Sequence, residues 1–308
     1  MKIWLLHGAV IAGLGLLMLI LPPYHVTNLA RIMVLAVFAM GYNLAFGYTG
    51  LLSLGHALFF AAGIYGAALP ISLMGMTAGP ALILGLLAGG GMAAAVGVLA
   101  LRTAGVSFMI VTLMFAQAGY LTVLYFGTVT GGDEGLVLPA TARILFGMDL
   151  SADAPRYLTA WALFSAALMA SLALVRSPFG RVMIAMRENE DRSRMLGYNP
   201  FAVKLTALVL SGVYAGVAGA AYGILFGYAG ASFATIQYSI LPMLWVLMGG
   251  AGTTLGPLIG TALMFYLVDV AGSLTTATLL VVGVALLALI LFAPRGILGT
   301  LREKGLTW

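Results

Sequence analysis

The side chains able to do chemistry are few and scattered. Three histidines, His7, His25 and His56, stand too far apart to suggest a metal cluster, and cysteine is absent. Disulfides, thiolate nucleophiles and cysteine metal sites are therefore excluded. His56 and Asp269 are the main ionisable groups inside or beside apolar segments, where a lone charge is a functional hypothesis by default. A structural role is nevertheless preferred for both. Asp269 lies close enough to the end of its segment to reach the interface, and His56 lies early enough in its own to donate to a neighbouring carbonyl. GGAGTTLG at 249–256 is faintly like a glycine-rich nucleotide loop, but no strand precedes it, and GxxxxGK[ST] occurs nowhere. A membrane enzyme would need His, Asp or Glu converging on one face. The sequence offers no such group.

Charge concentrates instead in RSPFGRVMIAMRENEDRSRMLGYNPFAVK, residues 176–204. It holds Arg176, Arg181, Arg187, Arg192, Arg194, Lys204, Glu188, Glu190 and Asp191, in a chain with 14 Lys and Arg and 9 Asp and Glu in all. Ser177-Pro178 is a helix-start pair, Gly197 supplies the positive φ that ends a helix, and Asn199-Pro200 starts another. The stretch reads as one or two short helices between membrane spans, with Val182, Met186 and Leu196 available for an apolar face. The simpler alternative is a solvated, topology-determining loop.

The elements that must hold this stretch are apolar. Of 308 residues 62% are hydrophobic and 7% charged, with mean hydropathy +1.11, far from a soluble composition. Residues 3–21, 29–47, 80–101, 105–126 and 276–293 are each long enough to cross roughly 30 Å of hydrocarbon as helices. Further spans are expected from residue 51 to about 69, at 157–175, 204–226 and 235–249, and after the break at 249–256. The expected fold is an all-α polytopic membrane protein of about ten helices, with 1–308 forming one domain. The N-terminal run, with Lys2 ahead of it and Pro22-Pro23 after it, is read as an uncleaved first span.

Orientation follows from the basic residues. With ten spans, Lys2, Arg102, the six of 176–204, Arg295, Arg302 and Lys304 share one side, against Arg31, Arg143 and Arg156 on the other. The positive-inside rule places both termini and the 176–203 loop in the cytoplasm, and the acidic 128–156 loop outside. Topology thus explains the pI of about 9.5 without nucleic acid. FGYTG at 46–50 interrupts the second span, as a tight turn or a discontinuous helix would. It echoes FGYAG at 226–230 near the opposite face, as an inverted repeat would give. Gly212, Gly216, Gly219, Gly223 and Gly227, and later Gly252, Gly256 and Gly260, have the spacing of close helix packing.

Five segments together resemble the LivM-type permease of branched-chain amino acid ABC importers: 43–67, TGGDEGL at 130–136, 177–223, 246–263 and LFAPRGILG at 291–299. The resemblance covers most of the chain. It implies the ABC importer permease fold in a bacterial inner membrane and no catalytic residue, metal or cofactor on this chain. ATP and Mg would be held by two cytoplasmic ATPase subunits, alongside a sister LivH-type permease, a periplasmic substrate-binding protein and the surrounding lipid. The expected cargo is leucine, isoleucine or valine. Urea or short amides in the same importer family, or an ion-coupled secondary amino acid transporter, are the alternatives. The resemblance implies that residues 177–199 dock into the ATPase, with Arg187, Glu188, Glu190, Asp191 and Gly197 as coupling residues. The importer signature Glu-Ala-Ala-x-x-x-Gly is met at Gly197 but departs at Asp191, Arg192 and Ser193, so Glu190 or Asp191 would be the acidic contact. Polar groups in apolar spans tend to face the interior, which makes Tyr42, Asn43, Tyr48, Thr49, His56, Gln117 and Tyr120 the pathway candidates.

Overall fold

The computed structural model describes residues 2–274, 277–293 and 295–303. Pro294 and Lys304, used above for the last span and the tail, lie outside the described residues, as do the side chains of Lys2 and Arg302. The helices run α1 (Lys2–Ile20), α2 (Pro23–Asn43), α3 (His56–Met74), α4 (Ala78–Ala100), α5 (Val106–Tyr125), the single turn α6 (Gly127–Thr130), α7 (Asp153–Arg176), α8 (Pro178–Glu188), α9 (Glu190–Met195), α10 (Pro200–Phe226), α11 (Ile236–Gly249), α12 (Gly256–Leu274), α13 (Thr278–Phe292) and α14 (Gly296–Glu303). Among the described residues, eight of these helices are long and apolar enough to cross a membrane. Apolar α11 and α13, at 14 and 15 residues, are shorter than the spans expected at those positions.

Four span starts differ from the sequence reading by more than a residue or two. Helix α7 opens at Asp153 rather than 157 and α10 at Pro200 rather than 204, each with a proline in its first turn. Two others shift further. The second span begins at Pro23 rather than residue 29, because Pro23 occupies the first helical turn, where its missing N–H costs nothing. The third span begins at His56 rather than residue 51, because the break after α2 is longer than a tight turn. Leu44–Tyr48 widen into a π-helical turn, and Gly50 takes a φ of 77° that a side chain would strain. Residues 51–55 then run irregularly to α3.

The bundle is centred on α2, which is buried without interruption from Ile32 to Leu44. Helices α3, α4 and α10 meet nearly backbone to backbone. A Cβ at Gly63 would fall 2.1 Å from the Gly216 carbonyl, and one at Gly89 2.4 Å from the Gly216 Cα. Packing of this kind replaces the hydrophobic drive that lipid cannot supply. The inverted echo has a structural counterpart. Helices α3 and α4 pack on α10, whereas α11 and α12 pack on α2, so each half lays its helix pair on the other half's central helix. The second FGYAG ends α10 at Gly227 and continues as a two-residue strand, Tyr228–Ala229, antiparallel to Leu136–Val137. That pairing pins the TGGDEGL segment against FGYAG. By contrast, α1 faces outward along most of its length, with Leu5, Leu16, Leu19 and Ile20 exposed.

Candidate functional site

At the end of the bundle that carries the 176–204 charges, the FGYTG break, the GGAGTTLG loop and the charged helices meet. Asn43, the last residue of α2, bridges to the loop after α11. Its Nδ2 donates to the Thr253 carbonyl at 2.8 Å, and its Oδ1 accepts from the Gly252 N–H at 2.9 Å. Arg187, in the last turn of α8, donates to the carbonyl of Gly47 in the π-helical turn. Its aliphatic stem lies against Gly50, and its guanidinium lies beside Gly252. A larger residue at either glycine would displace it. His7 of α1 closes the junction through Nε2 and the Thr254 hydroxyl at 2.7 Å. Beside it a cavity of about 420 Å³ is lined by His7, Tyr48, Leu172, Arg176 and Thr254 among others.

The irregular backbone above the junction is satisfied by protein, as unwound chain inside a membrane protein must be. The Thr112 hydroxyl accepts from Leu54 N–H at 3.1 Å, the Ser239 hydroxyl accepts from Ala57 N–H at 3.0 Å, and Thr49 donates to the Leu44 carbonyl at 2.9 Å. His56 is wholly buried, 2.7 Å from the Ser211 hydroxyl, with the Tyr42 ring edge-on at 4.6 Å. The Tyr42 hydroxyl has no partner among the described residues.

The charged stretch folds as its punctuation predicts. Ser177 caps α8 by accepting from Gly180 N–H at 3.1 Å, Asn189 caps α9 from Arg192 N–H at 2.8 Å, and Asn199 caps α10 from Ala202 N–H at 3.3 Å. Gly197 has a φ of 90° after α9. The apolar face is not the expected one. Met183 and Met186 are buried and Val182 is half-buried, but Leu196 is 71% exposed beside Met195 at 86% and Tyr198 at 45%. These three form an apolar tip pointing away from the bundle. Glu188 and Asp191 are exposed near it, whereas Glu190 is tied back to α10 by Lys204 at 2.6 Å, with Arg194 at 3.6 Å. Of the two candidate acidic contacts, only Asp191 is free of an ion pair among the described residues.

The structure therefore brings Tyr42, Asn43, Tyr48, Thr49 and His56 together at one end of α2, all buried, and sets Arg187 against them. Gln117 and Tyr120 stand apart on α5, half-exposed on a helix with few buried positions. The sequence reading takes Gly252 only for its packing spacing and assigns no role to Thr253, Thr254 or Ser211. The hydroxyl pair within a glycine-rich break was the available signal, set aside because it was weighed only as a nucleotide loop. Asp269 is exposed near the end of α12 and accepts from the Tyr24 hydroxyl at 2.8 Å.

A bundle of apolar spans with a charged helical pair at one end defines a polytopic membrane protein. Residues 25–293 match the family described as the branched-chain amino acid transport system permease component, and the chain belongs to that family. The high-affinity branched-chain amino acid transport system permease protein LivM of Escherichia coli K12 is 28% identical over 300 residues, covering 88% of this chain and 69% of its own. LivM of Salmonella typhimurium is 27% identical over 295 residues with the same coverage. A shorter likeness, 27% over 147 residues, covers 44% of this chain and 43% of the autoinducer 2 import system permease protein LsrC of Photorhabdus laumondii. No solved structure matches.

Proposed function

We propose that this chain is the permease subunit of an ATP-driven importer that carries leucine, isoleucine and valine across the bacterial inner membrane. It pairs with a sister permease, takes cargo from a periplasmic binding protein, and is driven by two cytoplasmic ATPase subunits that hold the ATP and Mg. The observation that carries this reading is the build of residues 177–199. Their outer tip is apolar and uncovered, at Met195, Leu196 and Tyr198, flanked by Glu188 and Asp191. Their root is fastened into the bundle by Arg187 and by the Glu190–Lys204 pair. A loop that only set topology would need neither feature. A loop that passes ATPase movement inward needs both, because a rigid-body push is transmitted only through contacts that persist.

In this mechanism the tip docks in the ATPase, with Gly197 turning the chain so that Met195, Leu196 and Tyr198 lie at its apex. ATPase closure shifts α8, and Arg187 carries the shift to the π-helical turn of α2 and the Gly252–Thr254 loop. Tyr42, Asn43, Tyr48, Thr49 and His56 form the inner closure that moves, and Gln117 and Tyr120 face the path on the uncovered side of α5. The family assignment supports the branched-chain cargo.

Gentle extraction of the tagged chain from its native membrane should recover two ATPases and a second permease. Vesicles containing the recovered assembly should take up leucine only with ATP. Recovery of the chain alone, with uptake driven by an ion gradient, would overturn the reading in favour of a secondary carrier.

A further inference from the structure

At the other end of α2 all three basic residues of that face converge. Arg31 lies on α2, Arg143 in the loop before α7, and Arg156 in the first turns of α7, and they surround Phe226 and Gly227 at the end of α10. The guanidinium carbons of Arg31 and Arg156 are 4.9 Å and 5.9 Å from the Phe226 ring centroid. Arg143 donates to the Leu225 carbonyl at 3.4 Å and would be 2.7 Å from a Cβ on Gly227. Burial and the charge of Arg156 pull its pKa below the usual arginine value, with Asp149 opposing. Like charges are gathered here despite their repulsion.

Their partners are unequally shared. Arg156 pairs with Asp153 at 3.1 Å, and Arg143 bonds the Ser151 hydroxyl at 2.7 Å. Half-buried Arg31 has no ion pair or hydrogen bond among the described residues. Among the described residues, the buried nitrogens without a partner include Nε of Arg31, Arg143 and Arg156, together with Nδ2 of Asn28. Asn28 sits three residues before Arg31, on the same face of α2. Each of these four atoms is a hydrogen-bond donor. A surplus of positive charge and of unmet donors among half-buried arginines is a site for an anion, and a guanidinium favours a carboxylate.

The surroundings narrow the anion further. Phe226, over which Arg31 lies, belongs to a continuous aromatic wall. Ring centroids lie 4.7 Å apart for Tyr222 and Phe226, 5.2 Å for Tyr222 and Phe233, 5.1 Å for Phe233 and Tyr238, and 5.3 Å for Phe60 and Tyr238. A small inorganic anion would gain nothing from that wall. A compact apolar body attached to a carboxylate would gain from both.

We propose that Arg31, with Asn28 and the Tyr222–Phe226–Phe233–Tyr238 wall, forms the entry site at which this permease takes the α-carboxylate of an aliphatic amino acid. The inference rests on the branched-chain reading above and assigns the residue that selects a free carboxyl group. Arg31 is the specificity determinant, and Arg143 and Arg156 supply the field that keeps the mouth attractive to anions.

The test is equilibrium binding to the full permease assembly in nanodiscs, without the binding protein, using leucine, leucinamide and urea as probes. Wild type should bind leucine at least about tenfold more tightly than leucinamide, whose carboxyl group is neutralised. Arg31→Gln should lose about tenfold or more in leucine affinity while leaving leucinamide unchanged, and Arg31→Lys should fall between. The wild-type comparison needs no variant, so poor folding of Arg31→Gln cannot rescue the idea. Equal binding of leucine and leucinamide, or no leucine binding, would overturn the site. An Arg31→Gln assembly that binds leucine normally but loses affinity for the periplasmic binding protein would also overturn it, assigning the arginine to a carboxylate of the partner. Wild type that binds urea or leucinamide in preference to leucine would instead sink the branched-chain reading itself.

Discussion

Arg187 joins the charged helices to the interrupted end of α2, so its removal separates docking from transmission. In Arg187→Met the stem still covers Gly50, but the bond to the Gly47 carbonyl is lost. A hydrogen bond from a charged donor contributes about 1.5–3 kcal/mol. Arg187 is otherwise exposed, so the lower end applies. About 1.5 kcal/mol corresponds to roughly a tenfold change in a coupled equilibrium. In vesicles carrying the complete importer, ATP hydrolysis should stay near the wild-type rate while leucine moved per ATP falls about tenfold. Arg187→Lys should recover part of the loss, because the ammonium keeps the charge but not the reach or planarity of the fork. Unchanged leucine per ATP in Arg187→Met, with normal membrane insertion, would refute the argument that this bond transmits the push.

Three further outcomes follow from the same geometry. Leu196→Asp alters a side chain that is 71% exposed, so melting should move by no more than about 0.5 kcal/mol while the ATPases no longer copurify; retained ATPase would remove the tip from the interface. Gly216→Val places a Cβ 2.7 Å from the Gly85 carbonyl and 2.8 Å from the Gly89 Cα, so detergent-solubilised protein should lose about 1–3 kcal/mol or more, and an unchanged melting temperature would contradict the close approach of α4 and α10. Because the native chain has no cysteine, single substitutions can be labelled without background: Gln117→Cys on half-exposed α5 should react with a water-soluble thiol reagent in the assembled importer, and Asn43→Cys in the buried junction should not.

Much of this was legible in the sequence because the relevant signals are local. Helix starts at Ser177-Pro178 and Asn199-Pro200, the stop at Gly197 and the break at FGYTG depend on backbone preferences of one or two residues. Span positions depend on runs of apolar residues, and these held except where first turns bearing Pro23, Pro155 and Pro200 opened α2, α7 and α10 early and the break delayed α3. What the sequence could not disclose depends on contacts across the chain. Arg187 and Gly47 lie 140 residues apart, and Asn43 and Thr253 lie 210 apart. Glu190 and Asp191 look equivalent until Lys204 is seen to neutralise one of them. Leu196 looked like part of an inward face because the bend after α9 reverses its direction. The three outer arginines read as a topological remainder, since nothing local announces that loop, α2 and α7 arginines meet on one phenylalanine.

The two sites occupy opposite ends of one helix. Arg31 and Asn43 are twelve residues apart on α2, about 18 Å at 1.5 Å per residue. Between them α2 is packed on all sides, with α7, α10, α11 and α12 against it. A helix so enclosed does not bend readily, because its neighbours sit at interior packing density. On the proposed coupling, a displacement delivered by Arg187 therefore moves the helix as a rod, and the place that can yield is the π-helical turn at Leu44–Tyr48, where the ladder is already widened. An inward push at that turn would carry Arg31 relative to Phe226, which belongs to α10 and to the other half of the inverted pair. The cation–π contact at 4.9 Å is short-ranged, so a shift of the order of 1 Å would weaken the hold on a carboxylate at the outer mouth in the same movement that alters the inner closure. Release at one end and opening at the other then need no separate signal, because both read the position of a single helix.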